Sequence, residues 1–303
     1  MHIVAVLNRD GGTLRTMDLD AFRAQLVAAF SAHGHTVECQ ISPGRRVEAA
    51  LRAAAARGDV DAILAAGGDG TVSTAAGIAF AANKPLAVLP AGTMNLFARA
   101  LGLPLDLSEA LQSIAAGSVQ SVDIATANKQ PFVHQFGVGI HARLVRIREG
   151  MTYRSRIGKM LASLRAIGAA AVRPPRFEVE LRTPNGVERQ WASGVAISNN
   201  PLGDGHIPHA DRLDAGLLGI YIAAPMTTPA LLRLAVDVLR GTWRDSPMVS
   251  EQEVEAVTLS FPRQKLGAVA VVDGELIKLQ QKVEIRLHAG ALQVLQPQAR
   301  ADP

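Results

Sequence analysis

The sequence has one cysteine in 303 residues, Cys39, so no disulfide can close within the chain. A lone thiol agrees with a reducing compartment. Its apolar-flanked place in a strand reads as core filler rather than a nucleophile. Aromatic residues make up only 4% of the chain. That leaves little stacking surface for bases and argues against a nucleic-acid partner. No apolar run approaches the roughly 18 residues that span a bilayer. The apolar stretch within residues 1–8 is too short for a secretory leader and lacks its basic flank, so the expected residence is cytoplasmic. Several signatures are missing: Gly-x-x-x-x-Gly-Lys-Ser/Thr, a Gly-x-Gly-x-x-Gly turn after the first strand, and a Gly-x-Ser-x-Gly elbow. The P-loop, dinucleotide-fold and serine-hydrolase readings lose their support accordingly. His33-Gly34-His35 and His206-Ile207-Pro208-His209 pair imidazoles with no third ligand at a recognisable spacing, so neither reads as a metal site.

An apolar fraction of 48% with 19% charged residues describes a globular chain, and its length suggests about two domains. Short apolar strands at 3–7, 36–41, 61–66 and 86–89 alternate with alanine-rich helices at 20–33, 46–57 and 108–116. This β-α-β-α-β order predicts an α/β domain with a parallel sheet and helices on its faces. After Val122-Asp123-Ile124-Ala125 the rhythm changes. Strand candidates follow at 131–138, 177–182, 190–198, 218–223, 254–261, 268–272 and 283–287, with turn signals such as Pro184-Asn185-Gly186 between them. They predict a C-terminal β-sandwich. The expected division is 1–125 and 126–303, with the last strand able to return to the first domain. A helical period at 229–240 stops at Gly241.

Two strand-to-turn junctions carry chemistry. Gly67-Gly68-Asp69-Gly70-Thr71 follows the apolar run 60–66 and precedes a helix expected from Val72. Its glycines let the backbone approach a bulky anion, while Asp69 and Thr71 offer a carboxylate and a hydroxyl. A plain tight turn would need fewer glycines. Pro85-Leu86-Ala87-Val88-Leu89-Pro90 then runs into Ala91-Gly92-Thr93-Met94-Asn95-Leu96-Phe97-Ala98-Arg99, where Thr93 and Asn95 taken alone would be helix caps. Loops beyond the carboxyl ends of neighbouring parallel strands converge on one ligand. Together these two read as a nucleotide phosphate site.

In order and spacing, Gly67 to Thr71, then Gly92-Thr93-x-Asn95-x-Phe97-Ala98-Arg99, then Asp273-Gly274-Glu275 resemble the diacylglycerol kinase catalytic domain family. That family includes bacterial soluble lipid kinases and sphingosine kinases. The resemblance implies a nucleotide domain related to that of NAD kinases, a β-rich lipid-substrate domain, an active site in the cleft between them, and ATP with Mg²⁺ as cofactors. It implies ATP-phosphate contacts for Gly67, Gly68, Gly70 and Thr71, a second phosphate-loop hydroxyl at Thr93 within Gly92 to Asn95, and a nucleotide-side position for Ser42. Asp69 is expected to organise Mg²⁺ or its water shell, and Glu275 is the expected general base. Asn8 and Gly12 match a first-strand motif whose proline and small residue are here Arg9 and Gly11. In the loop around Gly216, Ala215 stands where the family carries a metal-associated aspartate. That carboxylate is expected from Asp214 or Asp211, and Asp214 is taken as the metal candidate.

Net charge is +4, unevenly spread. Arg143, Arg146, Arg148, Arg154, Arg156, Lys159, Arg165, Arg173 and Arg176 crowd residues 141–176 against Glu149 alone. Leu144, Val145 and Ile147, then Ile157, Met160, Leu161, Leu164 and Ile167, recur near helical spacing. Basic amphipathic helices of this kind bind anionic membrane surfaces, although a solvated helix face reads similarly. The expected activity is an ATP-dependent kinase of a membrane-lipid hydroxyl, with diacylglycerol the default substrate, peripheral at the inner membrane surface. An NAD kinase-type phosphotransferase shares the first glycine motif but usually carries a later Asn-Glu pair that is absent here. A nucleotide- and membrane-binding module with weak catalysis is the other alternative. A homodimer is compatible with the sequence, which does not decide oligomeric state.

Overall fold

Strands that are apolar at nearly every position must be covered on both faces, and this decides the layout of the N-terminal part. The computed structural model describes residues 1–149, 174–204, 209–264 and 266–297. Strands β1 (His2–Asn8), β3 (Ala62–Gly67) and β4 (Leu86–Pro90) are buried along their interiors. Strand β2 (Thr36–Ser42) alternates exposed and half-buried positions, as an edge strand does. The pairs β1–β2, β1–β3 and β3–β4 are parallel, in the order β2-β1-β3-β4. Helices α1 (Leu19–Ala32), α2 (Gly44–Ala56), α3 (Asp69–Ala82), α4 (Leu96–Ala100) and α5 (Leu107–Ala115) complete the alternation. Asp18 and Asp106 start α1 and α5, each carboxylate accepting two backbone N–H bonds.

The chain divides into two compact units: Met1–Ile124 with Arg212–Asp214 and His288–Pro303, and Ala125–Asp211 with Ala215–Leu287. The last strand, β16 (Lys282–Gln296), serves both. In the first unit its Val294 pairs in parallel with Leu86 of β4, and Leu292, Val294 and Leu295 are fully buried. Asp123 is buried in β5 (Ser118–Ala127) and accepts the Gly290 N–H at 2.8 Å. Its own N–H donates to the Leu213 carbonyl at 2.6 Å, which attaches Arg212–Asp214 to this unit.

The second unit is a β-sandwich. One layer contains β8 (Phe177–Thr183), β9 (Gly186–Ala192), β13 (Ala256–Ser260) and the first part of β16. The other has six antiparallel strands in the order β12 (Val249–Val254), β11 (Leu218–Ala223), β10 (Gly194–Asn199), β7 (Gln135–Gly139), β14 (Val269–Val272) and β15 (Glu275–Lys278). Inward residues of both layers share one core, including Val179, Leu259 and Ile285 against Phe136, Ile197 and Ile220. The α/β class with a parallel sheet plus a β-sandwich is therefore the fold that the strand alternation predicts.

Two expected strands are each split in two. The run 131–138 divides into β6 (Gln130–Phe132) and β7, because the Val133 and His134 N–H groups turn to the Asp273 carboxylate, both at 2.9 Å. The run 190–198 breaks at buried Ser193, whose Oγ accepts the Met226 N–H at 3.0 Å. Helices α6 (Ile140–Glu149) and α7 (Thr228–Arg240) also belong to this unit. Among the described residues no helix is long and apolar enough to cross a membrane.

The seat of β16 in the first unit has a direct test. A Cβ on Gly117 would run into the carbonyl oxygen of Gln296, backbone against backbone. Gly117→Ala should lower the unfolding free energy by about 1–3 kcal/mol, read from urea denaturation, because neither chain segment can yield cheaply.

Candidate functional site

The carboxyl ends of the four parallel strands build one site. In register, Asn8 of β1 lies opposite Ser42 of β2, Leu7 opposite Ala66 of β3, and Gly67 opposite Pro90 of β4. The turn after β3 is tighter than its sequence suggests. Gly67 closes the strand, Gly68 is an extended N-cap, and α3 already begins at Asp69 rather than near Val72. Asp69, Gly70 and Thr71 are thus the first helical turn, where N–H groups have no carbonyl partner within the helix and the dipole favours an anion.

Glycine is required here by close approach. A Cβ on Gly67 would lie 2.6 Å from the Thr71 side chain, and one on Gly92 would lie 2.6 Å from Gly68 Cα. The turns after β3 and β4 therefore touch backbone to backbone. Asp69 locks them together: its Oδ1 accepts the Leu96 N–H at 2.6 Å and its Oδ2 the Asn95 N–H at 3.1 Å. Asn95 is nearly buried in a left-handed conformation at φ 52°. Its Oδ1 accepts from Gly92 N at 2.8 Å and its Nδ2 donates to Gly92 O at 3.2 Å, so its side chain shapes its own turn.

The turns after β1 and β2 join the same edge. Asn8 Nδ2 donates to Thr71 Oγ1 at 3.0 Å, and Asn8 Oδ1 accepts the Asp10 N–H at 3.1 Å. Asp10, unassigned in the sequence, accepts the first N–H of α2, from Gly44, at 2.7 Å. Ser42 is buried and its carbonyl accepts the Arg9 N–H at 3.0 Å. Thr13 N donates to Ala91 O at 2.9 Å, and a Cβ on Gly12 (φ 29°) would strike that same oxygen. The result is a glycine-walled concavity at a helix N-terminus, with Thr71 inside it and Thr93 exposed on its rim. It suits oxygen-rich anions.

The carboxylates are distributed differently from the sequence expectation. Asp69 has both oxygens engaged by backbone N–H groups, so it fits the outer water shell of a phosphate-bound cation better than a bare ligand position. Asp214 is exposed and pairs with Arg212 at 3.0 Å. Among the described residues the one cluster of three ligand-type side chains is His2, Glu38 and Asp59, which lies at the opposite end of β1 from Asn8. Arg57 already donates to both acids there, at 2.6 and 2.7 Å, and holds the Asp59 carboxyl down at about 2. That cluster is an ion-pair network, not a metal centre. Burial pushes the Cys39 thiol up to about 11, which removes it from nucleophilic chemistry.

In the second unit, Asp273 and Glu275 are not a pair of solvated acids on a hairpin. Asp273 is nearly buried in a left-handed conformation at φ 45°. Its carboxylate accepts three backbone N–H bonds, from Val133, His134 and Gln135, each at 2.9 Å. Only Glu275, the first residue of β15, faces solvent. The turn that presents Glu275 is thus fixed by its neighbour. The Asp-Gly pair at 273–274 signalled a turn in the sequence, but nothing local revealed partners some 140 positions away.

Of the basic segment 141–176, the part through Glu149 is helix α6, with Ala142 and Val145 buried against Val271. The helix expected around 157–167 and the arginines within 150–173 lie outside the described residues, as do His206, Ile207 and Pro208.

Comparison with known proteins follows the same division. Residues 2–127 match the model of the diacylglycerol kinase catalytic domain, a segment that holds the whole glycine-walled concavity. That segment is similar to the family's catalytic domain. An uncharacterised protein from Synechocystis sp. is 30% identical over 248 residues, which are 78% of this chain and 54% of that protein. The diacylglycerol kinase of Bacillus subtilis (strain 168) is 30% identical over 205 residues, 64% of this chain and 63% of that enzyme. The chain therefore spans between about half and two thirds of these relatives' lengths. The crystal structure of a diacylglycerol kinase from Bacillus anthracis str. Sterne shares the fold, with a TM-score of 0.71 at 20% identity over 97% of this chain and 96% of that one. Glu275 and Asp214 lie outside the segment matched by the family model, so the likeness to that family rests on the Asp69 side of the chain.

Asp273→Ala should cost about 3 kcal/mol, because three N–H donors lose a charged acceptor. Asp273→Asn should cost less, having one oxygen left to accept. Chemical denaturation of the two variants checks the order.

Proposed function

We propose that the protein is an ATP-dependent lipid kinase that phosphorylates a hydroxyl of a membrane lipid, with diacylglycerol the leading acceptor. The observation that carries this reading is the concavity at the α3 N-terminus, where Gly92 lies against Gly68 with no room for a Cβ of its own. An ATP phosphate chain fits such a surface: backbone N–H groups of Asp69, Gly70 and Thr71 bind its oxygens, and the Thr71 and Thr93 hydroxyls orient them. Bound Mg²⁺ would neutralise phosphate charge during transfer. Asp69 would hold that ion's water shell while keeping the two turns closed. Asn8 and Ser42 belong to the nucleotide side, and Asp214 is the further carboxylate proposed near the metal.

Glu275 is assigned the role of general base: its carboxylate takes the proton of the lipid hydroxyl as that oxygen attacks the γ-phosphorus and the bond from the γ-phosphorus to the β,γ-bridging oxygen breaks, releasing ADP. Being exposed at the start of β15, it is accessible to a substrate, and the Asp273 anchor fixes its strand. The relative named diacylglycerol kinase supports the acceptor class. The basic stretch 141–176 supports peripheral residence on an anionic membrane.

Labelled ATP with a lipid panel resolved by chromatography tests the reading. Diacylglycerol should be labelled, and no labelled lipid of any kind would overturn it. Glu275→Gln should leave ATP affinity within about twofold while lowering turnover by about 10²-fold or more. Gly92→Ala should instead weaken ATP binding by at least about tenfold, since its methyl group drives apart the two turns that cradle the phosphates.

A further inference from the structure

The sandwich unit contains a cavity of about 720 Å³ that belongs neither to the glycine concavity nor to the Asp273 turn. Helix α6, the start of β8 and the connection from β13 to β14 enclose it. Val138, Ala142, Phe177, Phe261, Val269 and Leu279 form apolar walls. The volume lies within the roughly 300–1,000 Å³ of small-molecule sites. Val269 and Leu279 stand at the open end of the β14–β15 hairpin, where Val269 pairs with Lys278. Asp273 is four residues on from Val269, just past the end of β14 and about 14 Å away at some 3.4 Å per residue. The cavity is therefore distinct from the position assigned to the base.

Its lining is charged with one sign. Among the described residues, Arg143, Arg146, Arg176 and Arg263 face it against Glu178, which is already paired with Arg263 at 3.4 Å. The guanidinium groups of Arg176 and Arg263 lie 4.9 and 5.8 Å from the ring centre of Trp191, which is 39% exposed. Leu266, also on the lining, is fully exposed to solvent. A free small anion would account for the arginines but not for the apolar walls or a projecting leucine. A neutral lipid would account for the walls but not for four cations. A bilayer lipid with a phosphate headgroup accounts for all of them, because arginine stems and Trp191 suit an interface and Leu266 suits hydrocarbon.

We propose that this cavity binds an anionic phospholipid of the membrane, with one acyl chain between α6 and the β13–β14 connection and its phosphate held by the arginine rim. The inference rests on the reading of a membrane-associated kinase and adds to it a site that holds lipid without phosphorylating it.

The test uses the full chain and contains no nucleotide, so it is independent of the phosphorylation assay, and either reading can fail alone. With Trp243→Phe, Trp191 becomes the only tryptophan of the two in the chain. Vesicles of phosphatidylcholine with chain-brominated phosphatidylglycerol should bind the protein and quench Trp191, whereas pure phosphatidylcholine vesicles should not bind. Arg146→Glu with Arg263→Glu should weaken binding by about tenfold or more. Leu266→Asp, which has no packing to lose, should weaken it as well. Ala268→Phe fills the cavity without touching charge and should keep adsorption at low salt but lose quenching. Equal binding to neutral vesicles would overturn the proposal, as would wild-type quenching in Ala268→Phe. A matching loss from charge reversal at Arg23 and Arg52 of the other unit would overturn it too. Melting curves establish that each variant is folded, and the Leu266 variant decides if Ala268→Phe is not.

Discussion

The carboxyl-terminal edge of the parallel sheet depends on the Asp69 carboxylate, which spans the turns after β3 and β4. By accepting the N–H groups of Asn95 and Leu96 it holds two backbones close enough that Gly92 tolerates no side chain against Gly68. It also spends a negative charge at the start of α3, where the helix dipole rewards it. The carboxylate thus serves geometry first. Its position in the family motif and its structural duty have the same cause, because a phosphate cradle requires peptide groups brought together and kept there.

Asp273 repeats this device in the sandwich unit. An aspartate in left-handed backbone gathers three consecutive N–H groups and ends one strand while another begins. The candidate base then lies two residues beyond a rigid point rather than on a free hairpin. In both units a carboxylate that accepts backbone N–H groups sets the frame around the groups that could carry chemistry. Such pre-positioning is how a site avoids reorganising during reaction.

Much of the architecture was legible because the relevant signals are local. The runs at 3–7, 62–66 and 86–89 are apolar at consecutive positions, as a doubly covered parallel strand requires. Alternation and turn dipeptides marked the sandwich strands. Legibility failed where a long-range bond overrode a local pattern. Residues 131–138 read as one strand, yet the Val133 and His134 N–H groups are taken by Asp273. Residues 190–198 read as one strand, yet at Ser193 the chain passes from the layer of β8 to that of β11, with the Ser193 N–H donating to Ala223 O and its Oγ accepting the Met226 N–H. The turn at Gly67 to Thr71 read as a five-residue loop, yet the helix starts at Asp69 because the Gly68 carbonyl already accepts the Val72 N–H.

The sequence by itself determined the two-part fold, the glycine turns and the likeness to the family, since strand period, turn chemistry and motif spacing are written in neighbouring residues. Only the tertiary structure decided what the individual side chains do. It turned Asn95 inward to its own turn and gave Asp69 and Asp273 to backbone N–H groups. It spent Glu38 and Asp59 on Arg57, and it gathered four arginines around an apolar cavity. The reason is physical: a polar atom's role is set by the partner it meets, and these partners lie up to some 140 positions away in the chain.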